Sequence, residues 1–327
     1  MAKIIGNLVP EDDFTHPLGE ETNFNESMYF NFFDPDQSIG GFVRLGNRAN
    51  EGNAEMTVCI YLADGRVLFN FKRAPIEHND AFEAGGMKFE VLEPSEELQT
   101  VYTGGVVELK DARSMSDPAE AFKNSPRRRL KVDLNHRASG PMYGSSQSNA
   151  EAKRDSEKQF GKAHYEQHMR VTGTLEIEDE TIEIRGYGLR DHSWGPRYWQ
   201  AIESYEWLTM NFGPDFGAMV SIIRRDADTE RRGGVLVRNG ELTLIKHAEI
   251  ETEFEENGLF HRALRVSLET ESGENIEITG DVKGFIPLRN RREGLITHIG
   301  EGMTEWRCGD QVGYGLSEYL RQVSPDQ

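Results

Sequence analysis

Cysteine is scarce in this sequence, and long apolar runs are missing. Cys59 and Cys308 are the only cysteines among 327 residues, and neither belongs to a CxxC pair or to a Cys/His spacing suited to zinc. A reducing, cytoplasmic setting is therefore the simpler interpretation. No segment approaches the roughly 18 to 20 apolar residues of a membrane-spanning helix, and the N-terminus lacks an apolar core of about 7 to 15 residues like that of a secretion signal. We expect neither membrane insertion nor secretion.

Positive charge and several catalytic signatures are also in short supply. The 37 basic residues are outnumbered by 56 acidic ones, so the net charge is −19, which disfavours nucleic acid and anionic membrane surfaces as partners. There is no GxSxG elbow and no GxxxxGK[ST] loop, and Gly186-x-Gly188 has no third glycine to complete a dinucleotide fingerprint. Serine hydrolases, P-loop enzymes and Rossmann dehydrogenases are disfavoured, and we expect no cofactor.

The most informative feature that the sequence does contain is a repeat. The hexapeptide Gly186–Asp191 (GYGLRD) returns as Gly313–Glu318 (GYGLSE), with four identities and an acid in the last place. Two further matches occur in the same order in each half: Phe33–Asp36 with Phe212–Asp215, and the turn Asp64-Gly65 with Asn239-Gly240. Three ordered matches predict that one β unit is used twice.

Short strands separated by turns account for most of the chain. Runs of alternating apolar residues recur about every 8 to 12 residues, which is typical of an antiparallel sandwich or barrel. Asp64-Gly65 and Asn239-Gly240 are hairpin signals, because both central positions of such a turn need positive φ. The pattern predicts an all-β protein of two tandem antiparallel barrel or sandwich domains with few short helices. We place the domains at residues 1–200 and 201–327.

A stretch of different character, residues 111–161, interrupts the first predicted domain. Asp117-Pro118 is typical of an N-cap followed by a first-turn proline, which predicts a short helix over Ser116–Lys123. The basic run Arg127–Arg129 is interpreted as an exposed strand edge rather than an anion site. The small-residue segment that follows is interpreted as a loop leading into a short polar helix over Glu151–Phe160.

Chemically capable side chains are densest where the first hexapeptide ends. If the strand stays extended, Asp191 and Ser193 point to one face, whereas His192 and Trp194 point to the other. An acid and an imidazole beside a tryptophan can supply a general acid and a general base, and a carboxyl group near indole has a raised pKa. The alternative is that Asp191 only accepts hydrogen bonds from turn amides.

Aromatic residues around this motif suit an apolar ligand. The candidates for substrate binding are Tyr187, Trp194, Tyr198, Trp199 and Trp207, with His168 and His298 as further lining residues. The alternative is that the aromatic group belongs to the protein core. His164 and His168 would lie roughly 13 Å apart on a strand, beyond the reach of a common ion, so we expect no metal site.

The segment Arg190–Gly195 (RDHSWG) resembles a motif of a known superfamily. It is similar to the Asp-His-x-Trp-Gly type motif of the carotenoid 1,2-hydratase (hydroxyneurosporene synthase) superfamily, which includes AttH-like proteins. The resemblance implies two tandem lipocalin-like barrels with a ligand pocket and, in the hydratases, acid-initiated addition of water to a C=C bond. By matching position it implies Asp191 as the acid, His192 or a nearby residue as its partner, and Trp194 in the pocket wall. Residues 111–161 match nothing in that family.

These features favour a lyase or isomerase of a hydrophobic small molecule such as a terpenoid, steroid or aromatic alkene. In this hypothesis Asp191 protonates the substrate, and His192 or Glu318 positions water or removes a proton. A non-catalytic carrier of apolar ligands is one alternative, and a pericyclase-type cyclase whose pocket mainly orients a polyene is another. The expected partner is the small hydrophobic substrate, and a homodimer stays open.

Overall fold

The computed structural model describes residues 2–146, 163–292 and 294–323, and strands dominate these ranges. The strands of the first part are β1 (Ile4–Ile5), β2 (Phe24–Asp34), β3 (Ile39–Arg48), β4 (Asn53–Tyr61), β5 (Val67–Pro75), β6 (Glu83–Ala84), β7 (Met87–Glu93), β8 (Glu97–Leu109), β9 (Arg127–Ala138), β10 (Met142–Ser146), β11 (Ala163–Ile177) and β12 (Glu180–Pro196). Those of the second part are β13 (Ser204–Asn211), β14 (Phe216–Asp226), β15 (Thr229–Arg238), β16 (Glu241–Phe254), β17 (His261–Thr270), β18 (Asn275–Arg292), β19 (Leu295–Cys308) and β20 (Gln311–Val323).

Helices are short. The α-helix α1 spans Pro118–Asn124, and the backbone amide of Glu120 donates to the Asp117 side chain, so the predicted cap and first-turn proline are confirmed. The predicted helix over Glu151–Phe160 lies outside the described residues. None of the described helices has the length and hydropathy that a membrane-spanning segment needs.

The strands of the first part close on themselves. The hydrogen-bonded order runs β11-β12-β2-β3-β4-β5-β8, and β9 pairs with both β8 and β11. The eight strands therefore form a ring, which we call the first barrel. The pairs β6-β7 and β1-β10 extend its sheet beyond the ring. The basic run Arg127–Arg129, predicted at a strand edge, lies on β9 within the ring and pairs with β8.

The second barrel is simpler, because its eight strands β13 to β20 are neighbours in chain order and β20 returns to β13. Period-two alternation supplies the interior of both barrels. In the first barrel, β2 buries Met28, Phe30 and Phe32 in the core. In the second, β13 buries Leu208 and Met210. The all-β, two-barrel expectation is confirmed.

The chain separates into two compact units. The first comprises Met1–Ala63, Val67–Glu108 and Ser125–Tyr198, and the second comprises Asp64–Arg66, Leu109–Asn124 and Trp199–Gln327. The main division thus falls between Tyr198 and Trp199, two residues before the predicted boundary. Of the predicted interruption, the short turn Ala112–Ser116 and α1 belong to the second unit, whereas β9 and β10 belong to the first.

The repeated hexapeptides occupy the same place in each barrel, on the strand that closes the ring against the first strand. A Cβ added at Gly188 would lie 1.8 Å from the Asn31 carbonyl oxygen, and one added at Gly315 would lie 1.9 Å from that of Thr209. This close approach lets the next amide, that of Leu189, donate to the Asn31 side chain at 2.9 Å. The equivalent amide in the second barrel, Leu316, donates to the Thr209 hydroxyl at 2.9 Å. The glycines therefore seal both rings by the same backbone contact.

The other two matches also occupy equivalent hairpins, with one correction. Asp64-Gly65 and Asn239-Gly240 both connect the third and fourth strands of their rings. The segments Phe33–Asp36 and Phe212–Asp215 each lie at the turn after the first strand of their ring. However, Phe33 pairs with Tyr187, and Asn211 pairs with Tyr314. The register therefore aligns Phe33 with Asn211, so the sequence match of Phe33 to Phe212 is wrong by one residue.

Candidate functional site

Alternate side chains of β12 point to opposite faces, as the extended pattern predicts. Arg190 and His192 are fully buried. They pair in register with Phe30 and Met28, which belong to the core of the first barrel. Asp191, one residue away, therefore points out of the barrel. The acid and the imidazole that the sequence analysis paired thus lie on opposite sides of the sheet.

Inside the barrel, Arg190 is the centre of a buried polar cluster. Its Nη1 atom donates to Asp13 Oδ1 at 2.6 Å and to the Tyr165 hydroxyl at 2.9 Å. Its Nε and Nη2 atoms donate to Gln167 Oε1 at 2.9 and 2.6 Å. The Tyr165 hydroxyl in turn donates to Asp13. The side chains of Asp13 and Arg190 are both 0% exposed, so this ion pair lies wholly in the barrel interior.

A second group continues from this cluster through His192. The ring nitrogens of His192 lie 3.1 Å from the Tyr165 hydroxyl and 3.0 Å from Glu26 Oε1. The same Glu26 oxygen lies 2.6 Å from His16 Nδ1, and Asp12 Oδ1 lies 3.2 Å from His16 Nε2. An unbroken hydrogen-bonded chain therefore runs from the buried ion pair to His16, whose side chain is 19% exposed.

The pKa values of Glu26 and His16 shift in opposite directions. Burial alone would raise the pKa of Glu26, but hydrogen bonds from His16 and His192 outweigh it and lower the pKa to about 2. Burial opposes the charged form of His16, yet Glu26 and Asp12 raise its pKa above the usual 6.5. Glu26 is thus a carboxylate at neutral pH, and its charge favours the protonated form of the partly exposed His16.

Aromatic rings flank the histidines. The indole of Trp194 stacks on His16, with ring centroids 3.8 Å apart and an angle of 12° between the planes. Phe82 meets His192 edge to face at 5.4 Å. A π face against an imidazolium stabilises the charged ring. The Asp12–His16–Glu26–His192 group with Trp194, which we call the His16 site, therefore combines a proton donor with an apolar wall.

Asp191 belongs to a separate group on the outer face of β11 and β12. It pairs in register with Glu166 and is hydrogen-bonded to His164 Nε2. The Tyr143 hydroxyl donates to Glu166 Oε2 at 2.6 Å. Burial lowers the pKa of His164, but Asp191 and Glu166 outweigh it and raise the pKa to about 9. At neutral pH the His164 ring is therefore protonated, and Asp191 is its hydrogen-bond partner. Trp194, the indole expected to raise its pKa, projects from the other face of β12.

Two sets of side chains in the described part of the chain bring three metal-type ligand atoms within 4.8 Å of one another: His16 with Glu26 and His192, and His164 with Glu166 and Asp191. Two imidazoles and a carboxylate form a ligand set used by several transition metals. In the first set, however, both imidazoles already lie at hydrogen-bond distance from one Glu26 oxygen. The hydrogen-bonded arrangement therefore satisfies these ligand atoms within the protein itself.

The remaining predicted residues are dispersed. Within the first unit, Tyr187 is half-buried beside the Arg170 guanidinium, His168 is buried on β11, and Tyr198 is the last residue. Within the second unit, Trp199 begins a short turn, and Trp207 pairs in register with Glu318 on the outer face. His298 pairs with Arg321. The described structure therefore assembles only His192 and Trp194, of the predicted set, with the His16 site.

Five members of the interior chain were not predicted as site residues from the sequence: Asp13, His16, Glu26, Tyr165 and Arg190, the last of which was named only as the first residue of the motif. Glu26 carries the only readable signal, since it precedes Met28 and Phe30 at intervals of two and so occupies an inward position of an apolar strand. Asp13 and His16 lie in an irregular segment around Pro10–Asp13 that has no periodicity to interpret.

Comparisons with known proteins bear on the fold. Residues 9–323 match a family model described as "Domain of unknown function (DUF7064)", and no curated protein matches the chain. An AttH-like protein of Nitrosomonas europaea superposes with a TM-score of 0.63 and 16% identity, covering 98% of each chain. CghA gives 0.57 and 12%, covering 99% of this chain and 97% of its own. Kievitone hydratase from Nectria haematococca gives 0.57 and 12%, covering 100% and 98%. At these identities the likenesses show that this chain shares its two-barrel fold with the three proteins.

Proposed function

Because this chain belongs to the DUF7064 family and has the fold of the AttH-like proteins, we propose that it is an acid–base lyase or isomerase of a small hydrophobic molecule. The observation that carries the proposal is the chain of hydrogen bonds from the buried Asp13–Arg190 pair through His192 and Glu26 to the partly exposed His16. An ionised carboxylate that holds an imidazolium beside an aromatic wall is suited to protonating an apolar substrate.

The solved relatives support the same class of chemistry. Kievitone hydratase is named for a hydration, and one structure of CghA contains Sch210972. At 12% identity these likenesses establish the fold alone, so the assignment to this chain depends on its own residues.

In the proposed reaction, His16 gives its Nε2 proton to a carbon of a C=C bond, and Asp12 yields its place on that nitrogen to the substrate. Water adds to the resulting cation and loses a proton, which restores the charged His16. In the reverse direction the same proton goes to a hydroxyl group that leaves as water, and the resulting cation loses a proton from the adjacent carbon to the neutral His16 as the C=C bond forms. Glu26 remains ionised throughout and holds the imidazolium, while Trp194 supports it from its other face.

The assignment from sequence, with Asp191 as the acid and His192 or Glu318 as its partner, stays a rival proposal for the same activity. It places the reaction at the outer face of β12, where Asp191 is bonded to His164. The two versions make opposite predictions for single substitutions. Loss of His16 should abolish turnover in one version, and loss of Asp191 should abolish it in the other.

The test is mass spectrometry of terpenoid, steroid and aryl alkenes, and of the corresponding alcohols, incubated with the protein in heavy-oxygen water. Wild type, His16→Gln, Glu26→Gln and Asp191→Asn are compared, with the exposed His78→Gln as the matched control. We expect label to be gained, or water to be lost, with wild type and His78→Gln. His16→Gln should lower the rate by at least about 100-fold, the usual contribution of a general acid.

Three results would contradict the proposal. Loss of turnover in Asp191→Asn with full activity in His16→Gln would move the chemistry to the outer face. Rearrangement of a substrate without label, at a rate that His16→Gln leaves unchanged, would favour the cyclase. Binding of a panel member without any chemical change would favour the non-catalytic carrier.

A further inference from the structure

The second barrel contains a pocket that the proposed chemistry does not use. Its volume is about 370 Å³, within the range of small-molecule sites. The first residues of β13 and the last residues of β14, β16 and β20 meet there, so the pocket is one mouth of this barrel. The lining side chains that matter below are Glu206, Arg224, Ile250, Thr252, Phe254 and Arg321.

Two arginines line this mouth, and they differ in their partners. Arg224 Nη1 donates to both oxygens of Glu206 at 2.8 and 2.6 Å, and its Nε lies 2.8 Å from Glu230. Two carboxylates thus neutralise Arg224. Arg321 instead lies over aromatic rings, with Cζ 4.6 Å from the centroid of Phe254 and 6.0 Å from that of Tyr319. Among residues 2–146, 163–292 and 294–323, no carboxylate forms an ion pair with it.

Three uncharged polar side chains lie near Arg321: those of His298, Thr252 and Tyr319. His298 pairs with Arg321 in register between β19 and β20 and is 7% exposed. Its Nε2 atom has no hydrogen-bond partner in the described part of the chain. Burial, reinforced by Arg321, lowers the pKa of His298 to about 4, so the ring is neutral at physiological pH. Thr252 Oγ1 and the Tyr319 hydroxyl are hydrogen-bonded to each other at 2.6 Å.

We propose that this mouth is a binding site for an organic acid, which places its carboxylate on Arg321 and its apolar body against Ile250 and Phe254. A carboxylate is the natural partner of a guanidinium, because its two oxygens match the fork of N–H donors. The aromatic rings beneath Arg321 hold the cation without neutralising it. The protein carries a net charge of −19, so anions are repelled in general, and a guanidinium that no described carboxylate neutralises is a favourable place for an acid to bind.

The experiment is calorimetric titration of the whole chain with 1-naphthaleneacetate and with 1-naphthaleneacetamide, which have the same ring and differ in charge. We expect one site per chain and at least about tenfold tighter binding of the acid, weakening as salt is added. Arg321→Gln should reduce the preference for the acid to about onefold, and Arg321→Lys should retain part of it.

Arg238→Gln is the matched control. Arg238 also lies over an aromatic ring of this barrel, 5.0 Å from the centroid of Phe216, but at the opposite end of the strands and paired with Glu274. Its removal should leave the preference unchanged, and thermal melting of each variant verifies folding. Equal affinity of wild type for the acid and the amide would overturn the proposal. So would equal loss in Arg238→Gln and Arg321→Gln, or a lack of binding up to millimolar acid. The outcome is independent of the proposed acid–base activity, which resides in the first unit.

Discussion

The two barrels share a frame and differ in what the frame encloses. Each is an eight-stranded ring whose last strand carries two glycines against the first strand. The register makes Arg190 and His192 of the first barrel equivalent to Ser317 and Tyr319 of the second. These inward positions hold a buried ion pair and a histidine chain in one barrel, and neutral hydroxyl groups in the other.

This difference shows that the same strand order and closure can enclose either charged or neutral side chains. The contacts that seal each ring are made by backbone atoms and glycines, so they do not depend on which side chains fill the interior. Inward positions beyond the glycine pair can then carry charge, provided that every charged group finds a partner. Trp194 and Arg321 are also equivalent in register. Trp194 forms an aromatic wall, whereas Arg321 is a cation without a carboxylate partner among the described residues.

The buried ion pair makes the largest expected difference between the barrels. Asp13→Asn leaves the Arg190 guanidinium in the interior without its counterion, and we expect a loss of about 3 to 5 kcal/mol in the free energy of unfolding. Ser317 occupies the position of the second barrel that is equivalent to Arg190, and Ser317→Ala removes neutral hydrogen bonds and should cost about 1 kcal/mol. Denaturant unfolding measures both values, and hydrogen exchange of β12 locates the first. Equal losses would mean that the interiors do not differ energetically.

The dependence of the free energy of unfolding on pH should also distinguish the first barrel, because Glu26 and His16 have shifted pKa values. Lowering the pKa of Glu26 from 4.5 to about 2 corresponds to about 3 kcal/mol that is present above pH 4.5 and lost as the pH falls towards 2. His16 has a raised pKa, so its contribution is complete below pH 6.5 and is lost as the pH rises above that value. The combined contribution of Glu26 and His16 to stability should therefore be greatest between about pH 4.5 and 6.5. The free energy of unfolding should depend less on pH in Glu26→Gln than in wild type, both below pH 4.5 and above pH 6.5, and an unchanged profile would contradict the assigned ion pair.

The smallest expected effects test what the barrels have in common. Gly188→Ala and Gly315→Ala each force a methyl group into a backbone carbonyl, and both should cost about 1 to 3 kcal/mol or more. Gly105 and Gly233 are matched controls, since an added Cβ would meet nothing closer than 4.0 Å at the first and nothing within 4 Å at the second. Alanine there should change stability by less than about 0.5 kcal/mol. A large loss in only one of the two sealing variants would show that the barrels close by different contacts.

Local patterns in the sequence were sufficient to predict the strands, the hairpins and the two repeated units. Alternation predicted the strands, the Asp64-Gly65 and Asn239-Gly240 turns predicted hairpins, and the repeated glycine hexapeptide predicted two copies of one unit. The same alternation correctly put Asp191 and His192 on opposite faces. These features depend on interactions between residues close in sequence, which explains why they can be read without the fold. The expectation of a helix over Glu151–Phe160 falls outside the described residues, and the role of Asp191 stays a prediction.

The composition of the candidate site was decided by tertiary structure. Asp13, Glu26, Tyr165 and His192 come from an irregular segment and three strands, and they meet only because β12 pairs with both β2 and β11. The pairing of β12 with β2 closes the ring between strands more than 150 residues apart. The segment that precedes β2 then brings Asp13 to Arg190 and His16 to Glu26. Sequence alone determined which way each side chain of a strand points, because the period is local. Which side chains share the interior depends on the register between distant strands, and only the closed barrel defines it.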